Sequence, residues 1–366
     1  MLEPLLKDEL QELGISALRE GYRGVFVDEW DWTTLYKVNY ASRLASRVLL
    51  PLAHFRCFDQ RSLYRQAMSI DWSPFFRHRE SFAIDANVHH RSLRNSLFAA
   101  QVVKDAICDQ MRREKGWRPS VQLQNPDVQI NLFIHDETGS ISLDTSGEPL
   151  HKRGYRQETV EAPVRETLAA AVLRLAAYSV EDTLLDPCCG SGTFLIEAAL
   201  IATRTPPGYL RRQWGFMRHP AFIEAEWLGI RARLDESRRA LPSGRLFGMD
   251  KSQGAVRACK INLKAAGFQQ EVEVQQADFR ECMPSVAPTC MIANPPHGRR
   301  LEDEGLLAPL YRALGDFMKR TCANPGRGYV LTTSASLSKE VGLATKRRHV
   351  LDHGGLEARL LEYVIF

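Results

Sequence analysis

The 366-residue sequence contains no apolar run long enough to cross a membrane, which takes about 20 apolar residues in a helix. Its first residues, MLEPLLKDELQELG, place acidic residues inside an apolar pattern, which predicts an amphipathic helix and not a signal peptide. The eight cysteines form no CxxC pair and no Cys/His pair with the spacing of a zinc site. These absences predict a cytoplasmic protein with reduced thiols, no membrane contact and no bound metal.

The sequence also lacks internal repeats, the GxGxxG spacing of dinucleotide-binding loops and the GK[ST] ending of a Walker A loop. The formal net charge of +4 only hints at a polyanionic partner. Residues 77–118, however, carry nine Lys/Arg against five acidic residues, and residues 204–245 carry nine Arg against four. Such segments suit contacts with phosphate, although a solvated charged face explains the charge equally well.

The order of predicted helices and strands divides the chain into three units. Residues 1–56 mix helices with a strand, and residues 57–144 combine an alternating strand, a long helix and two further strands. Residues 145–164 form a linker rich in glycine, proline and charge. In residues 165–366 strands alternate with helices, which predicts an α/β fold whose parallel sheet has helices on both faces and ends in an antiparallel strand. An insertion at about 204–244 interrupts this pattern.

Three predicted strands of the C-terminal unit end in residues that suit one nucleoside-bearing ligand. In LLDPCCGSGTF, Asp186 ends a strand, and two glycines let the backbone approach a ligand before a helix begins. Asp250 follows the next strand and suits ribose hydroxyls, once the insertion is discounted. Asp278 follows the third strand and suits an adenine amino group, with Phe279 packed on the ring. Each feature alone is as readily a turn or a helix cap.

The fourth strand ends in MIANPPHGRR, where two prolines fix the backbone after an asparagine. The Asn294 amide oxygen and the Pro295 carbonyl then form two rigid acceptors for an exocyclic amine, and His297 can stack on its base. A neutral amide is a poor base, so the predicted chemistry is positioning with electrostatic support. Together the four strand ends predict a methyl donor facing an amine acceptor.

This order resembles the class I S-adenosylmethionine-dependent methyltransferases, with DPCCGSGT as first motif and NPPH as the amino-methylation motif. The strings VVKDAICDQMRREKGWRPSV, SLDTSGEPLHKRGYR and EAPVRETLAAAVL resemble THUMP-containing RNA methyltransferases. The nearest resemblance is to the bacterial family that methylates N2 of a guanine in 23S ribosomal RNA. TPPGYLRRQWGFMRHPAF is similar to that family's insertion, and KRRHVLDHGGLEARLLEY to its C-terminal hairpin.

The resemblance implies a Rossmann-like catalytic sheet preceded by a ferredoxin-like domain and a THUMP domain that grips structured RNA, either 23S RNA or its precursor particle. It implies no obligate protein partner. The implied S-adenosylmethionine contacts are Asp186, Cys188, Gly190, Ser191, Gly192, Thr193, Asp250, Asp278, Phe279 and Asn294. A flipped guanine would lie against the catalytic residues Asn294, Pro295, Pro296 and His297. The expected RNA contacts are Arg91, Arg94, Lys104, Arg118, Lys152, Arg153 and Arg156.

Three departures from the family pattern bear on these expectations. His297 stands where the family usually has Tyr, and Cys188 stands where it usually has Phe. The family also has a strand before the helix that opens this chain, so we expect the first domain to lack it. Besides methylation of 23S RNA, three alternatives remain: a THUMP enzyme acting on guanine N2 of tRNA, a DNA adenine-N6 methylase, and an RNA-binding assembly factor with a decayed site. The last is disfavoured by intact glycines and acids at the strand ends.

Overall fold

The structure, a computed structural model, describes residues 2–93, 95–296, 301–353 and 356–366. Within those ranges, no helix combines the length and the apolar character that a bilayer span requires. The described chain contains three sheets, of two, five and seven strands. Each sheet belongs to one of the three units predicted from the sequence.

The two-stranded sheet belongs to the N-terminal unit. Its elements are α1 (Glu3–Glu12), β1 (Leu18–Gly21), β2 (Gly24–Val27) and α2 (Trp32–Ala41). The strands β1 and β2 pair antiparallel through a tight turn. Helix α2 begins where the Asp31 carboxylate accepts the backbone N–H of Thr34, which satisfies one donor of the first turn.

The five-stranded sheet forms the second unit, in the order β3-β7-β6-β4-β5. Its elements are β3 (Leu49–Arg56), α3 (Gln60–Ser69), β4 (Ser81–His89), α4 (Ser96–Lys115), β5 (Ser120–Val121), β6 (Val128–His135) and β7 (Thr138–Asp144). Helices α3 and α4 pack against one face of this sheet, with Leu63 and Val103 in a shared apolar core. Because β3 pairs with β7, sheet membership begins the second unit at Leu49, before the predicted boundary at residue 56.

The seven-stranded sheet forms the C-terminal unit, in the order β10-β9-β8-β11-β12-β14-β13. Its first elements are α5 (Glu166–Leu175), β8 (Leu184–Asp186), α6 (Thr193–Ala202), a 3-10 turn (Gly215–Arg218), α7 (Glu224–Asp235), β9 (Leu246–Asp250), α8 (Gln253–Ala266) and β10 (Val272–Gln276). It continues with β11 (Cys290–Ala293), α9 (Leu301–Thr321), β12 (Gly326–Thr332), α10 (Leu337–Glu340), β13 (Arg347–His353) and β14 (Leu356–Ile365). Strands β8 to β12 run parallel, while β14 pairs antiparallel with β12 and β13, which confirms the predicted terminal strand.

The position of β8 in this order explains where a ligand binds. From β8 the chain builds outward through β9 and β10, and it then returns to the other side of β8 with β11. The order therefore reverses between β8 and β11, and in sheets of this kind the ligand crevice lies beyond the carboxyl ends of the strands at such a reversal. Both strands are buried along their length, so the crevice has a rigid floor.

The insertion at residues 204–244 packs against the N-terminal unit. Its Phe216 ring lies 4.9 Å from Tyr36, and its Trp227 ring lies 5.4 Å from Tyr40, measured between centroids. On its other side, an Arg218 nitrogen lies 3.0 Å from an Asp127 carboxylate oxygen in the second unit. The insertion therefore joins all three units through a buried aromatic cluster and an ion pair.

Candidate active site

The loop after β8 brings the backbone close to the crevice. Gly190 has φ +53° and Gly192 has φ +85°, in the left-handed region that side chains disfavour. A Cβ added to Gly192 would lie 2.5 Å from the sulfur of Cys259, so only glycine fits there. The Gly192 N–H donates to the Cys189 carbonyl at 2.8 Å and closes the turn just before α6. The turn is therefore tight, and Gly190 within it stays partly exposed beyond the carboxyl end of β8.

Asp250 ties this loop to the end of β9. One carboxylate oxygen accepts the Gly190 N–H at 3.0 Å, and the other accepts the Ser252 N–H at 2.9 Å. The Cys189 N–H also donates to the Met249 carbonyl at 2.9 Å. The structure therefore brings the first and second predicted strand ends together, as the sequence predicts.

Asp186 is the most deeply buried carboxyl at the site, with 1% of its surface exposed. Its oxygen accepts the Cys188 N–H at 3.1 Å, and Asp250 is its neighbouring charge. Burial raises the pKa of Asp186 to about 8, and the Asp250 charge acts in the same direction. A cationic ligand in the crevice would favour the ionised carboxylate. The environment of Asp186 therefore suits the positively charged groups of S-adenosylmethionine.

The linker supports the same loop from behind. Arg156 donates to the hydroxyls of Ser191 and Thr193, each at 2.9 Å, and to the Glu166 carboxylate at 2.8 Å. The buried Asn262 side chain donates to the Ser191 carbonyl at 3.0 Å and accepts two linker N–H groups. Arg156 therefore braces the loop; it is only partly buried, and its contact with RNA stays a prediction. The sequence offered no sign of the role of Asn262.

Asp278 and Phe279 lie beyond β10, the third strand end. The Arg280 side chain donates to both Asp278 oxygens, and these hydrogen bonds hold the pKa of Asp278 below its usual range. The Phe279 ring is buried 5.5 Å from the ring of Phe317, in the core beneath α9. The expectation that Phe279 packs on adenine is therefore wrong, because its ring fills the core.

The end of β11 supplies a hydrogen-bond acceptor that no group among the described residues uses. The Asn294 amide oxygen is buried without a hydrogen-bond partner among the described residues, and Pro295 beside it is buried too. Since buried polar atoms are almost always hydrogen-bonded, this oxygen is in a position to accept a donor from a ligand. His297 lies outside the described residues. Cys188 is partly buried against the core under the crevice, and burial raises the pKa of its thiol.

The predicted RNA contacts are not all on the surface. Arg153 has only 1% of its surface exposed; it pairs with the buried Glu197 at 3.4 Å and donates to the carbonyls of Leu150 and Arg43. Its assignment to RNA contact is wrong, because a guanidinium desolvated in this way must be paired inside the protein. The sequence shows that Arg153 is charged, but it does not show that its partner is Glu197, 44 positions away.

The other predicted cations differ in their surroundings. Arg91, Arg118 and Lys152 are exposed, Lys152 lying 2.8 Å from Glu148, and Lys104 is half-exposed beside Asp105; their contact with RNA stays a prediction. Arg94 lies outside the described residues. In the arginine-rich insertion, Arg211 donates to three backbone carbonyls and stacks over Trp214 at 4.5 Å. Much of the charge in residues 204–245 is therefore structural.

The strand order, the glycine loop after β8 and the acid after β9 define a class I S-adenosylmethionine-dependent methyltransferase. Residues 153–357 match the model of the RMKL-like methyltransferase domain. Residues 59–144 match the THUMP domain, and residues 2–49 match the RlmL ferredoxin-like domain. The chain belongs to the RMKL-like methyltransferase family, and its cofactor is S-adenosylmethionine.

Relatives share this arrangement over the full chain. A Synechocystis protein named as an RNA methyltransferase is 35% identical over 366 residues, which are 100% of this chain and 94% of that one. The ribosomal RNA large subunit methyltransferase K/L of Syntrophotalea carbinolica is 36% identical; the match covers 100% of this chain and 52% of that one, so this chain spans about half its length. A solved structure of a methylase from Clostridium difficile is 28% identical, with a TM-score of 0.87 over 99% of this chain and 95% of that one.

Proposed function

We propose that this protein transfers the methyl group of S-adenosylmethionine to the exocyclic N2 amine of a guanine in 23S ribosomal RNA. The observation that carries the proposal is the buried Asn294 oxygen at the end of β11, which has no hydrogen-bond partner in residues 2–93, 95–296, 301–353 and 356–366 and stands beside the loop that suits the methyl donor. The large subunit methyltransferase K/L relatives, at 36% identity, support ribosomal RNA as substrate class.

Some residues at the crevice bind the methyl donor, and others bind the amine that accepts the methyl group. The glycine loop and Asp250 hold the nucleoside of the methyl donor, and Asp186 faces its cationic part. The Asn294 oxygen and the Pro295 carbonyl each accept one N–H of the guanine amine, which orients its lone pair toward the methyl carbon. A stacked, paired amine cannot reach that carbon, so the base must leave its helix first.

The transfer step balances without a further reagent. The nitrogen lone pair forms the new N–C bond while the C–S bond breaks, and its electron pair stays on sulfur. S-adenosylhomocysteine is thereby formed, and the methylated amine loses one proton to water. Because a neutral amide is a poor base, Asn294 positions the amine and stabilises developing positive charge on nitrogen without removing the proton first.

The test is transfer of labelled methyl to unmodified 23S RNA and, separately, to unmodified tRNA, followed by nucleoside analysis. We expect N2-methylguanosine in 23S RNA alone. Label found only in tRNA would contradict the proposal that 23S RNA is the substrate. Label found on an adenine would contradict the proposal that a guanine amine is the acceptor.

Asn294→Ala tests the role of the acceptor. Removing one preorganised polar contact to a transition state lowers kcat by roughly 10²–10³-fold. We expect a loss of this size with little change in the affinity for S-adenosylmethionine, and a partial recovery in Asn294→Asp, which keeps an acceptor. Wild-type turnover in Asn294→Ala, or an equal loss of cofactor affinity, would refute this mechanism.

A further inference from the structure

The five-stranded sheet has one face covered by α3 and α4. Among the described residues, no α-helix packs extensively on its second face, although the 3-10 turn Gly215–Arg218 contacts β6. The alternation along β6 shows the two faces. Ile130, Leu132 and Ile134 are buried toward the helices, while Phe133 and His135 on the second face are partly exposed. The second face is therefore open to solvent at positions where a sheet can carry large side chains.

The strand register gathers four rings on this face. His89 on β4 lies opposite His135 on β6, with ring centroids 5.6 Å apart. The planes of Phe133 and His135 differ by only 6°. Tyr22, at the turn between β1 and β2, lies 4.9 Å from His135 and 6.2 Å from Phe133. We call these residues, Tyr22, His89, Phe133 and His135, the ring patch.

The ring patch spans two units, and its outermost member is the most accessible. Tyr22 comes from the N-terminal unit, whereas the other three rings belong to the second unit. The Tyr22 side chain remains 66% exposed although it contacts two rings. A large ring held in place at this exposure presents a π-face to solvent, which is the feature that stacks on a nucleobase.

The groups around the rings are hydrogen-bonding and cationic, not aliphatic. Asn87 and Ser140 flank Phe133 in register, and Thr138 separates His135 from the exposed Arg56. A surface that binds another protein usually has an apolar centre, which the polar groups around these rings do not provide. Rings bordered by an amide, hydroxyls and a guanidinium instead match the edges and phosphates of unpaired nucleotides.

The acids on this side of the sheet lie beside cationic or imidazole groups. Asp85 lies 3.6 Å from an Arg47 nitrogen, and Asp136 lies 3.5 Å from the Nδ1 of His135. The Arg47 guanidinium offsets part of the Asp85 charge and so weakens the repulsion that a phosphate backbone would otherwise meet there. Lys104 is on α4, which covers the opposite face, so the ring patch is distinct from that predicted contact.

We propose that the ring patch binds unpaired bases of the RNA substrate by stacking, an inference that rests on the proposed function and adds a second contact to it. The probes are a blunt RNA hairpin and the same hairpin with a single-stranded extension of about six nucleotides, a length that one stacking surface accommodates. Binding is measured by fluorescence anisotropy on the full chain.

We expect wild-type protein to prefer the extended RNA. Tyr22→Ala should lower its affinity for the extended RNA by roughly 5- to 100-fold, the loss typical of one stacked base, and leave the blunt hairpin unchanged. Tyr22→Phe keeps the ring and should bind as wild type. Phe133→Ala should act like Tyr22→Ala, whereas Phe366→Ala, which removes a ring 86% exposed at the end of the catalytic unit, should have no effect.

The outcomes that would overturn the ring patch differ from those that would overturn the proposed function. An equal loss for both RNAs would show contact with the backbone and overturn the stacking proposal. Unchanged binding in Tyr22→Ala, in a protein that still methylates 23S RNA, would overturn the ring patch and leave the proposed function standing. A dimer that Tyr22→Ala converts to monomer, seen by light scattering, would assign the patch to a second copy of the chain. Wild-type protein that binds neither RNA would overturn the stacking proposal, while methyl transfer to 23S RNA, measured separately, decides the proposed function.

Discussion

Neighbouring residues Lys152 and Arg153 provide a matched pair for separating surface charge from buried charge. Lys152 is exposed, with Glu148 as its partner, whereas Arg153 and Glu197 are both buried. Arg153→Ala leaves the Glu197 carboxylate buried without its cation, and removing one member of a buried pair costs about 3–5 kcal/mol. Lys152→Ala breaks an exposed pair, which contributes about 0–1 kcal/mol. The two substitutions should therefore differ by several kcal/mol in the free energy of unfolding.

The assay is denaturant unfolding of the two variants beside wild type, together with the salt dependence of RNA binding. At roughly 2–4 °C per kcal/mol, Arg153→Ala should also lower the melting temperature by about 6–20 °C. If Lys152 contacts phosphate, Lys152→Ala should make the salt dependence shallower, and Arg153→Ala should leave its slope unchanged. The double variant Arg153→Met with Glu197→Gln should recover part of the lost stability, because the buried carboxylate is removed together with its cation; the buried Arg43, which Glu197 also stabilises, keeps the recovery incomplete.

The reasoning fails on either of two results. An Arg153→Ala protein with wild-type unfolding would show that the pair is not buried as described. A shallower salt dependence in Arg153→Ala, at retained stability, would return this residue to the RNA surface.

Three further predictions concern the crevice. Because the pKa of Asp186 is raised to about 8, the ionised carboxylate, which favours a cationic ligand, becomes populated only as the pH rises. The affinity for S-adenosylmethionine, measured by calorimetric titration, should therefore increase from pH 6 to pH 8. Asp186→Asn should lose this pH dependence. Gly192→Ala should lower cofactor affinity by at least about tenfold through the contact with Cys259, and adding Cys259→Ala should restore only part of it, since the positive φ remains. Arg156→Ala should raise KM for the cofactor about ten- to a hundredfold with a smaller change in kcat, because it frees the loop; a change in kcat alone would contradict the bracing role.

The strand ends were predictable from the sequence for a geometric reason. Parallel strands place their carboxyl ends at one edge of a sheet, so Asp186, Asp250 and Asn294 converge once the strands are found. The spacing of acids and glycines along the chain therefore carries information about proximity. The alternating pattern also predicted the strand β14, but it did not show that both of its faces are covered, with Leu360 in one core cluster and Leu361 in another.

The side-chain partners were not predictable, because they depend on long-range packing. Arg153 and Arg156 stand in a charged linker, and nothing nearby shows that their partners are Glu197 and Glu166. Phe279 follows Asp278 in a loop, where an aromatic ring suits either a ligand or a core. Phe317, far along the chain, decides between the two. The charge or aromatic character of a residue shows which contacts it can make. Its neighbours in the folded chain decide whether it contacts a ligand or packs inside the protein.

The aromatic cluster formed by Tyr36, Tyr40, Phe216 and Trp227 has a consequence for target choice. Together with the Arg218 ion pair, it holds the second unit and the catalytic crevice at one separation. If the second unit grips RNA, the nucleotide that enters the crevice must lie at a matching span from the gripped feature in the folded RNA. The insertion would then fix this span, and the target nucleotide would be selected by its distance in three dimensions from the gripped feature.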